Sequence, residues 1–420
     1  MASAYLSRSI SSTGNQKKMT FSAWIKRAGV YATGCLFATG VGGERSMILI
    51  ESGGRLQFSR YNSNYIWHLA TTRLFKDPHG WIHIVCSLDT TQSTAADRAK
   101  IYINGEQITV FNTETYPSLN YDDGFNTSGK TQYVGQDSDG LQDWDGGMAH
   151  VHYIDGTAYA ASTFGQTDAT TGIWKPKTNP SVTYGTNGFF LKFDNSANMG
   201  LDSSGQSNNL TTTGTIIQNK DTPSNVFATM NPLHFGTPSV SNAPLTNVNS
   251  DFSSSEGSGV YPYYYSTLGV SKGKYYVEFK FVNVVSATAG IGSGVADQYH
   301  GNNAADYSYY NDGRLYNGGS SESTGYSALS NGDILGCALD LDNNKVYFHI
   351  NGSYQASGNP VTGAGGKSIT AAASNGIGFY HFAVGDSGST AGTNIQTNFG
   401  NGYFGTTAVS SAQNPDDGVG

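Results

Sequence analysis

The sequence predicts an all-β chain: two antiparallel β-sandwich (jelly-roll) domains joined by a proline-containing linker. Three observations carry that expectation. Apolar residues recur with a period of two in many short runs, the mark of strands with one face turned to a core. Glycine supplies 54 of 420 residues, as expected where short strands alternate with tight turns. No long amphipathic helical pattern interrupts the runs.

Composition bounds the function. The hydrophobic share is 37%, with 27 Tyr and 20 Phe, enough apolar material for real cores, and length allows two or three domains. Only 13% of residues are charged, so Ser, Thr, Asn and Gly must solvate the surface. The net charge is −8 and no Lys/Arg cluster occurs, which excludes a nucleic-acid footprint. The opening "MASAYLSRSISSTGNQKKMTFSAW" has no apolar h-region, and no run of about 20 apolar residues suggests membrane insertion. The expectation is a soluble chain made in the cytoplasm. Cys35, Cys86 and Cys337 are odd in number and far apart, and two of them fall inside strand-like runs. They are expected as small buried apolar residues rather than a disulfide framework.

The elements follow in order. "SMILIES" (46–52) is the first short apolar run, and "RYNSNYIWH" (60–68) is an aromatic-polar stretch. In "WIHIVCSLD" (81–89), Ile82, Ile84, Cys86 and Leu88 alternate with His83, Val85 and Ser87, predicting a half-buried strand. "KIYINGEQI" (100–108) ends its alternation in Asn-Gly; "TQYVGQ" (131–136), "MAHVHYI" (148–154) and "GFFLKFD" (188–194) follow. Residues 219–259 carry Pro223, Pro232, Pro238 and Pro244 with little alternation, and are expected as a linker or a strap over the next domain. Beyond them come "KYYVEFKF" (274–281), "GDILGCALDLD" (332–342), "KVYFHINGSY" (345–354), "IGFYHF" (377–382) and "NIQTNFG" (394–400). Leu335, Cys337, Leu339 and Leu341 match Val346, Phe348 and Ile350 across Asn343-Asn344, which reads as a tight hairpin. The division is therefore 1–218, a linker at 219–259, a second sandwich at 260–407 and a polar tail at 408–420.

Both halves also resemble known families. "MTFSAWIKR" (19–27), "GWIHIVCSLDTT" (80–91), "AKIYINGEQI" (99–108) and 133–159 resemble, in order, a laminin-G-like, concanavalin-A-like jelly roll. The stretch 188–210, with its "DSSGQSNN" loop, resembles a part usually found near such a domain's start and is displaced here. "SKGKYYVEFKF" (271–281), "IGSGVAD" (291–297), 331–353 and "NIQTNFGNGYF" (394–404) resemble a SPRY domain. The pairing resembles virion structural proteins of tailed bacteriophages, which implies a location in the virion, other virion proteins as partners and a homo-oligomer.

Candidate chemistry is sparse. Glucanases related to the first domain carry a Glu-x-Asp-x-x-Glu strand that sets two carboxylates on one sheet face about 5 Å apart. Glu stands here only at 44, 51, 106, 114, 256, 278 and 322, so that reading fails and no enzyme is expected. "DSDGLQDWDGG" gathers Asp137, Asp139, Asp143 and Asp145. Hard oxygen ligands at that density suit Ca²⁺; the plainer alternative is a solvated turn with Trp144 packed on the core. "DNSANMGLD", with Asp194 and Asp202, makes a weaker case of the same kind. His150 and His152 share a strand face at i and i+2 and could join a Zn²⁺ site, but Ala149, Val151 and Tyr153 already supply an inward face, so the histidines are expected to face solvent.

What remains is binding. Residues 297–319 are dense in Tyr and Asn, types that recognise sugars or protein edges at little entropy cost. Tyr299, His300, Asn302 and Asn303 are assigned to an exposed loop there, with some of Tyr307, Tyr309 and Tyr310 in the core. Tyr61, Tyr65 and Trp67 form the corresponding candidate in the first domain. Three functions compete: a fibre- or adhesin-type surface protein recognising a host glycan or receptor, a purely structural virion component, and a glycan-degrading enzyme, which the missing Glu pair disfavours.

Overall fold

The structure, a computed structural model, describes residues 3–28, 32–236, 245–255, 259–295, 297–323, 325–388 and 392–410. The chain is all-β and divides into two compact units, Met1–Val226 and Phe227–Gly420. Among the described residues no helix is long and apolar enough to cross a membrane.

The first unit is a two-sheet antiparallel sandwich. Its eight-stranded sheet runs Phe111–Thr115, Asn64–Leu74, Arg55–Asn62, Glu44–Ile50, Gly34–Val41, Thr131–Val134, Tyr5–Ser9, Thr211–Thr213. The six-stranded sheet runs Phe189–Leu191, Gly146–Asp155, Lys18–Arg27, Ile82–Asp89, Ala99–Ile103, Glu106–Gln107. Between them Phe37 stacks on Phe21 at 5.2 Å and on Phe125 at 5.9 Å. The displaced 188–210 stretch closes an edge, with Leu191 opposite Val151.

The strand Ile82–Asp89 departs from expectation because both of its faces are buried. Residues after Gly156 lie over the outer face, where Val85 packs with Ile154, Ala161 and Phe164. The same cover corrects the histidine reading. A register shift between Ala149 and His152, with His150 at φ +48°, breaks the alternation. His152 is buried against Phe190, ring centroids 3.9 Å apart, with Nδ1 2.9 Å from the Tyr184 hydroxyl. Neither histidine stands free in solvent; His150 is half-buried. Asp202, the weaker metal candidate, is occupied by the amides of Phe190, Ser204 and Asn208.

The second unit is likewise a sandwich. One sheet runs Met230–Phe235, Tyr263–Val270, Tyr380–Asp386, Ala287–Gly292, Tyr307–Tyr310, Leu315–Asn317, Ser320–Glu322. The other runs Leu245–Thr246, Asp251–Ser254, Thr393–Asn398, Lys274–Asn283, Ile334–Asp340, Lys345–Ile350, Ser353–Tyr354, with Lys367–Ser368 pairing Lys345–Ile350. Val277, Phe279 and Phe281 face inward beside Leu335, Cys337 and Phe348. The alternation of 274–281 and 332–350 is thus realised, although the connection between Asp340 and Lys345 takes four residues rather than two. Asp340 closes it by accepting from the Asn343 amide at 3.1 Å.

The stretch 219–259 is not simply a linker. Asp221 belongs to the first unit, buried and accepting from Lys26 Nζ at 2.5 Å and Trp81 Nε1 at 2.9 Å. Met230–Phe235 and Asp251–Ser254 are strands of the second sandwich. Pro232 fits because its strand is at a sheet edge, where a missing N–H costs no ladder bond. Pro238 and Pro244 lie outside the described residues, as do positions 411–420 of the expected tail; Thr407–Ala408 pairs with Tyr403–Phe404. Cys35, Cys86 and Cys337 are buried free thiols, their pKa values raised by burial.

Candidate binding site

The three aromatic residues expected as a patch in the first unit are parted by a β-bulge. Arg60 pairs with Trp67 and Tyr61 with Tyr65, so the register slips between Arg60 and Tyr61. One extra residue on the second strand puts Tyr65 and Trp67 on opposite faces despite their i, i+2 spacing. Trp67 is fully buried, edge-on to Phe58 and donating from Nε1 to Asp123 Oδ2 at 2.8 Å; it is a core residue. Tyr65 is 48% exposed and stacks on His68 at 4.2 Å, with Tyr61 at 5.3 Å and the Arg45 guanidinium over Tyr61. Burial raises the Asp123 pKa, opposed by Ser46, Arg60 and Trp67.

The four aspartates of 137–145 are adjacent in sequence but do not converge. Asp137 is buried and accepts from the Leu141 amide at 3.0 Å. Asp139 pairs with Arg45. Asp143 accepts from Ser3 Oγ at 2.8 Å and Gln136 Nε2 at 2.6 Å. Asp145 lies beside Arg27, its pKa raised by burial. Among the described residues no group of three or more His, Cys, Asp or Glu is arranged to hold a metal ion. The loop instead runs back over the eight-stranded sheet. The Cys35 amide donates to Gln142 O at 3.0 Å, and Trp144 packs on the core.

In the second unit the 297–306 loop is folded onto the hairpin 307–317. Gly319 N donates to Gly301 O at 3.0 Å, and Asn317 Nδ2 reaches Ala304 O and Asp306 O at 2.7 and 2.9 Å. His300 is inside this junction, not on the surface. It is 1% exposed, donates from Nε2 to Ile291 O at 3.1 Å and accepts from Ser308 Oγ at 2.8 Å. Burial pulls its pKa down to about 4. Asn303 is a turn former, its Oδ1 accepting from the Ala305 amide at 2.9 Å. Beneath the loop Asp306 is fully buried with long contacts, 3.3 Å to Ser293 N and 3.4 Å to Gly301 N. Burial pushes its pKa up to about 7.

Tyr299 and Asn302 are left at the rim, where other tyrosines meet them. Tyr299 lies 5.6 Å from Tyr261, and Tyr316 stacks on Tyr310 at 4.1 Å. Burial raises the Tyr299 pKa, with the Tyr316 phenol, the Asp297 carboxylate and the Tyr261 phenol adding to it. Arg314 lies over Tyr316 at 5.1 Å and donates to its hydroxyl at 2.6 Å. Asn302 Nδ2 is fixed on Asp297 Oδ1 at 2.8 Å. The rim is a set of phenol, amide and guanidinium groups, with the Asp297 and Asp312 carboxylates engaged by Asn302 and Arg314. Such a surface suits stacking and hydrogen bonding to a ligand. Of the residues singled out in the sequence, Tyr299 and Asn302 lie at this rim and Tyr310 is buried beneath it; Tyr261 and Tyr316 were not singled out. The "VYPYYY" run at 260–265 signals Tyr261, since Pro262 ends the free loop just before the buried strand Tyr263–Val270.

Residues 2–162 match a laminin-G-type family model described as the Concanavalin A-like lectin/glucanases superfamily. Among solved structures the chain is similar to the SPRY domain of human HERC1, at TM-score 0.32 and 18% identity, covering 41% of this chain and 98% of that one. A human SPRY domain gives 0.31 and 19%, covering 38% and 96%. A heptameric SAP-like pentraxin from Limulus polyphemus gives 0.28 and 17%, covering 38% and 72%. Among curated proteins there is no match. Concanavalin-A-like domains of the first kind point to carbohydrate or protein binding.

Proposed function

We propose that this chain is a non-enzymatic surface protein of a tailed-bacteriophage virion, of fibre or adhesin type, which recognises a host glycan or receptor. The rim of Tyr261, Tyr299, Asn302 and Tyr316 is its contact surface, and its other partners are virion proteins and further copies of the chain. The observation that carries this reading is the rim: aromatic faces and amides held at a loop junction by buried His300 and by the half-buried Asn303 and Asn317. Loops on a rigid sandwich are where such folds place recognition. The resemblance of the domain pairing to virion proteins supports the setting.

The test is saturable binding of the labelled chain to a panel of bacterial cells, with competition by free surface polysaccharide. Binding at least tenfold weaker in Tyr299→Ala and Tyr316→Ala is the expected result. Absence of binding on every host the phage infects, with the protein folded, would replace recognition by a purely structural role in the virion.

A further inference from the structure

A second opening in the second unit lies between the borders of its two sheets, one strand over from Tyr316 of the rim, which pairs with Ser321. One wall is the edge strand Ser320–Glu322; the other is Lys367–Ser368 with the Gly365-Gly366 turn that leads into it. The cleft measures about 430 Å³, within the size range of small-molecule sites. We propose that it binds a neutral, polyhydroxylated ligand, a saccharide unit. This adds a subsite to the recognition reading above and rests on that reading for its role.

Charge is the first argument. Lys367 Nζ stands 3.0 Å from Glu322 Oε2, joining the two walls. Among the described residues lining the cleft, the one cation is already paired with the one carboxylate, so neither an anionic nor a cationic ligand gains a free counter-charge. Both side chains keep solvent access, 28% and 43%, and so exposed a pair adds little to stability. It is free to exchange its partner for hydroxyl groups. Hydrogen-bonding capacity is the second argument. A carboxylate that only accepts, an ammonium that only donates, the Ser368 hydroxyl and the Tyr326 phenol line one opening. A sugar presents donors and acceptors at similar density, whereas an apolar peptide side chain would strand these groups.

Shape is the third argument. Tyr326 is the aromatic residue of the lining, fixed edge-to-face on core Tyr309 at 5.7 Å. It supplies an apolar surface for the C–H face of a ring. At Gly366 a Cβ would stand 2.5 Å from the Tyr347 ring, so the wall there is bare backbone. The Tyr347 hydroxyl is buried with no hydrogen-bond partner among the described residues.

The full chain is titrated with millimolar lactose, cellobiose and N,N′-diacetylchitobiose, and with sialyllactose and digalacturonate as acidic probes, read by saturation-transfer NMR. Expected is saturable binding of at least one neutral probe, preferred over the acidic ones. It weakens at least tenfold in Tyr326→Ala and Lys367→Ala and is unchanged in Val110→Ala, an exposed residue of the first unit. Glu322→Gln keeps an acceptor but frees the ammonium charge, and shifts preference toward the acidic probes. Thermal melts establish that each variant is folded. No binding of a neutral probe, preference for acidic ones, or binding indifferent to both cleft substitutions overturns the proposal. Cell adhesion that survives the cleft variants while the titrations stay silent removes the cleft and leaves the recognition reading standing. Disaccharide binding without adhesion to any host does the reverse.

Discussion

Residues 60–68 of the first sandwich and 297–319 of the second are both rich in Tyr and Asn, yet the chain uses them differently. The first stretch is a strand hairpin on the ladder of a sheet. There each side chain is sent inward or outward by parity, and one bulge is enough to bury Trp67 and expose Tyr65. The second is a loop and short hairpin bound together by side-chain amides, so tyrosines from three segments meet at one rim without sharing a parity. Composition alone does not separate an aromatic that packs from one that recognises; the backbone around it does.

That contrast predicts its own largest effect. Trp67→Ala removes a fully buried indole and strands Asp123, and is expected to cost the first unit about 3–5 kcal/mol. Tyr299→Ala at the rim is expected to stay within about 0.5 kcal/mol while weakening cell binding. Urea denaturation of the two variants decides it, and a Trp67 variant of native stability would reopen the surface reading of that stretch.

Two buried titrating groups, His83 in the first unit and Asp306 in the second, shift in opposite directions. Trp174 Nε1, a pure donor, donates to His83 Nδ1 at 3.0 Å, which leaves Nε2 to donate to Ser22 Oγ at 2.9 Å. Protonating Nδ1 would set donor against donor in a buried place. Burial accordingly depresses the His83 pKa to about 3, with His150 adding to the effect. Between its ordinary value near 6.5 and about 3, the unfolded chain binds a proton that the folded one refuses. Stability is therefore whole above that window and is lost as pH falls through it. His83→Gln, which keeps an acceptor and a donor, should flatten this acid slope.

Asp306 has the reverse sign. Its folded pKa is about 7 against an ordinary 3.8, so the folded state holds the extra proton, and stability falls as pH rises from about 4 to 7. Asp306→Asn should gain on the parent protein across that range by a few kcal/mol at most. Difference curves from denaturation at stepped pH test both; parallel slopes for a variant and its parent would sink the corresponding assignment.

Where the two units are alike, their responses should be alike. Asn104-Gly105 and Asn351-Gly352 both turn through positive φ, 49° and 91° in one and 49° and 87° in the other. Asn tolerates this region and Ala does not. Asn104→Ala and Asn351→Ala should each cost about 1–2 kcal/mol, and a large difference in melting between them would show that one hairpin is held by something beyond its turn.

Much of this was legible in the sequence, and the failures share a cause. Alternation over 274–281 and 332–350 gave the inward faces of Val277, Phe279, Leu335 and Phe348, because a strand's period is geometric. The bulges at 60–61 and 149–152 carry no residue signature: the first sends Tyr65 and Trp67 to opposite faces, and the second leaves Val151 and Tyr153 inward as expected but puts Met148 rather than Ala149 against the core. His152 and Ser87 read as solvent-facing because the cover on their sheet face comes from residues far along the chain. His300 was placed at the surface on composition, although Ser308 eight residues on completes its hydrogen bonds.

The Asp-rich loop yields the smallest effect and a clear one. Asp137, Asp139, Asp143 and Asp145 resemble a calcium loop in one dimension. In three dimensions Asp137 is spent on the Leu141 amide and, with Asp139, on Arg45, Asp143 on Ser3 and Gln136, and Asp145 lies beside Arg27. A cation there would have to compete with two guanidinium groups and unmake hydrogen bonds that hold the loop on its sheet. EDTA should accordingly leave the melting temperature of the first unit unchanged, and added Ca²⁺ should not raise it. A calcium-dependent rise would mean that the loop reorganises to bring its carboxylates together, and that the Arg45–Asp139 pair opens when it does.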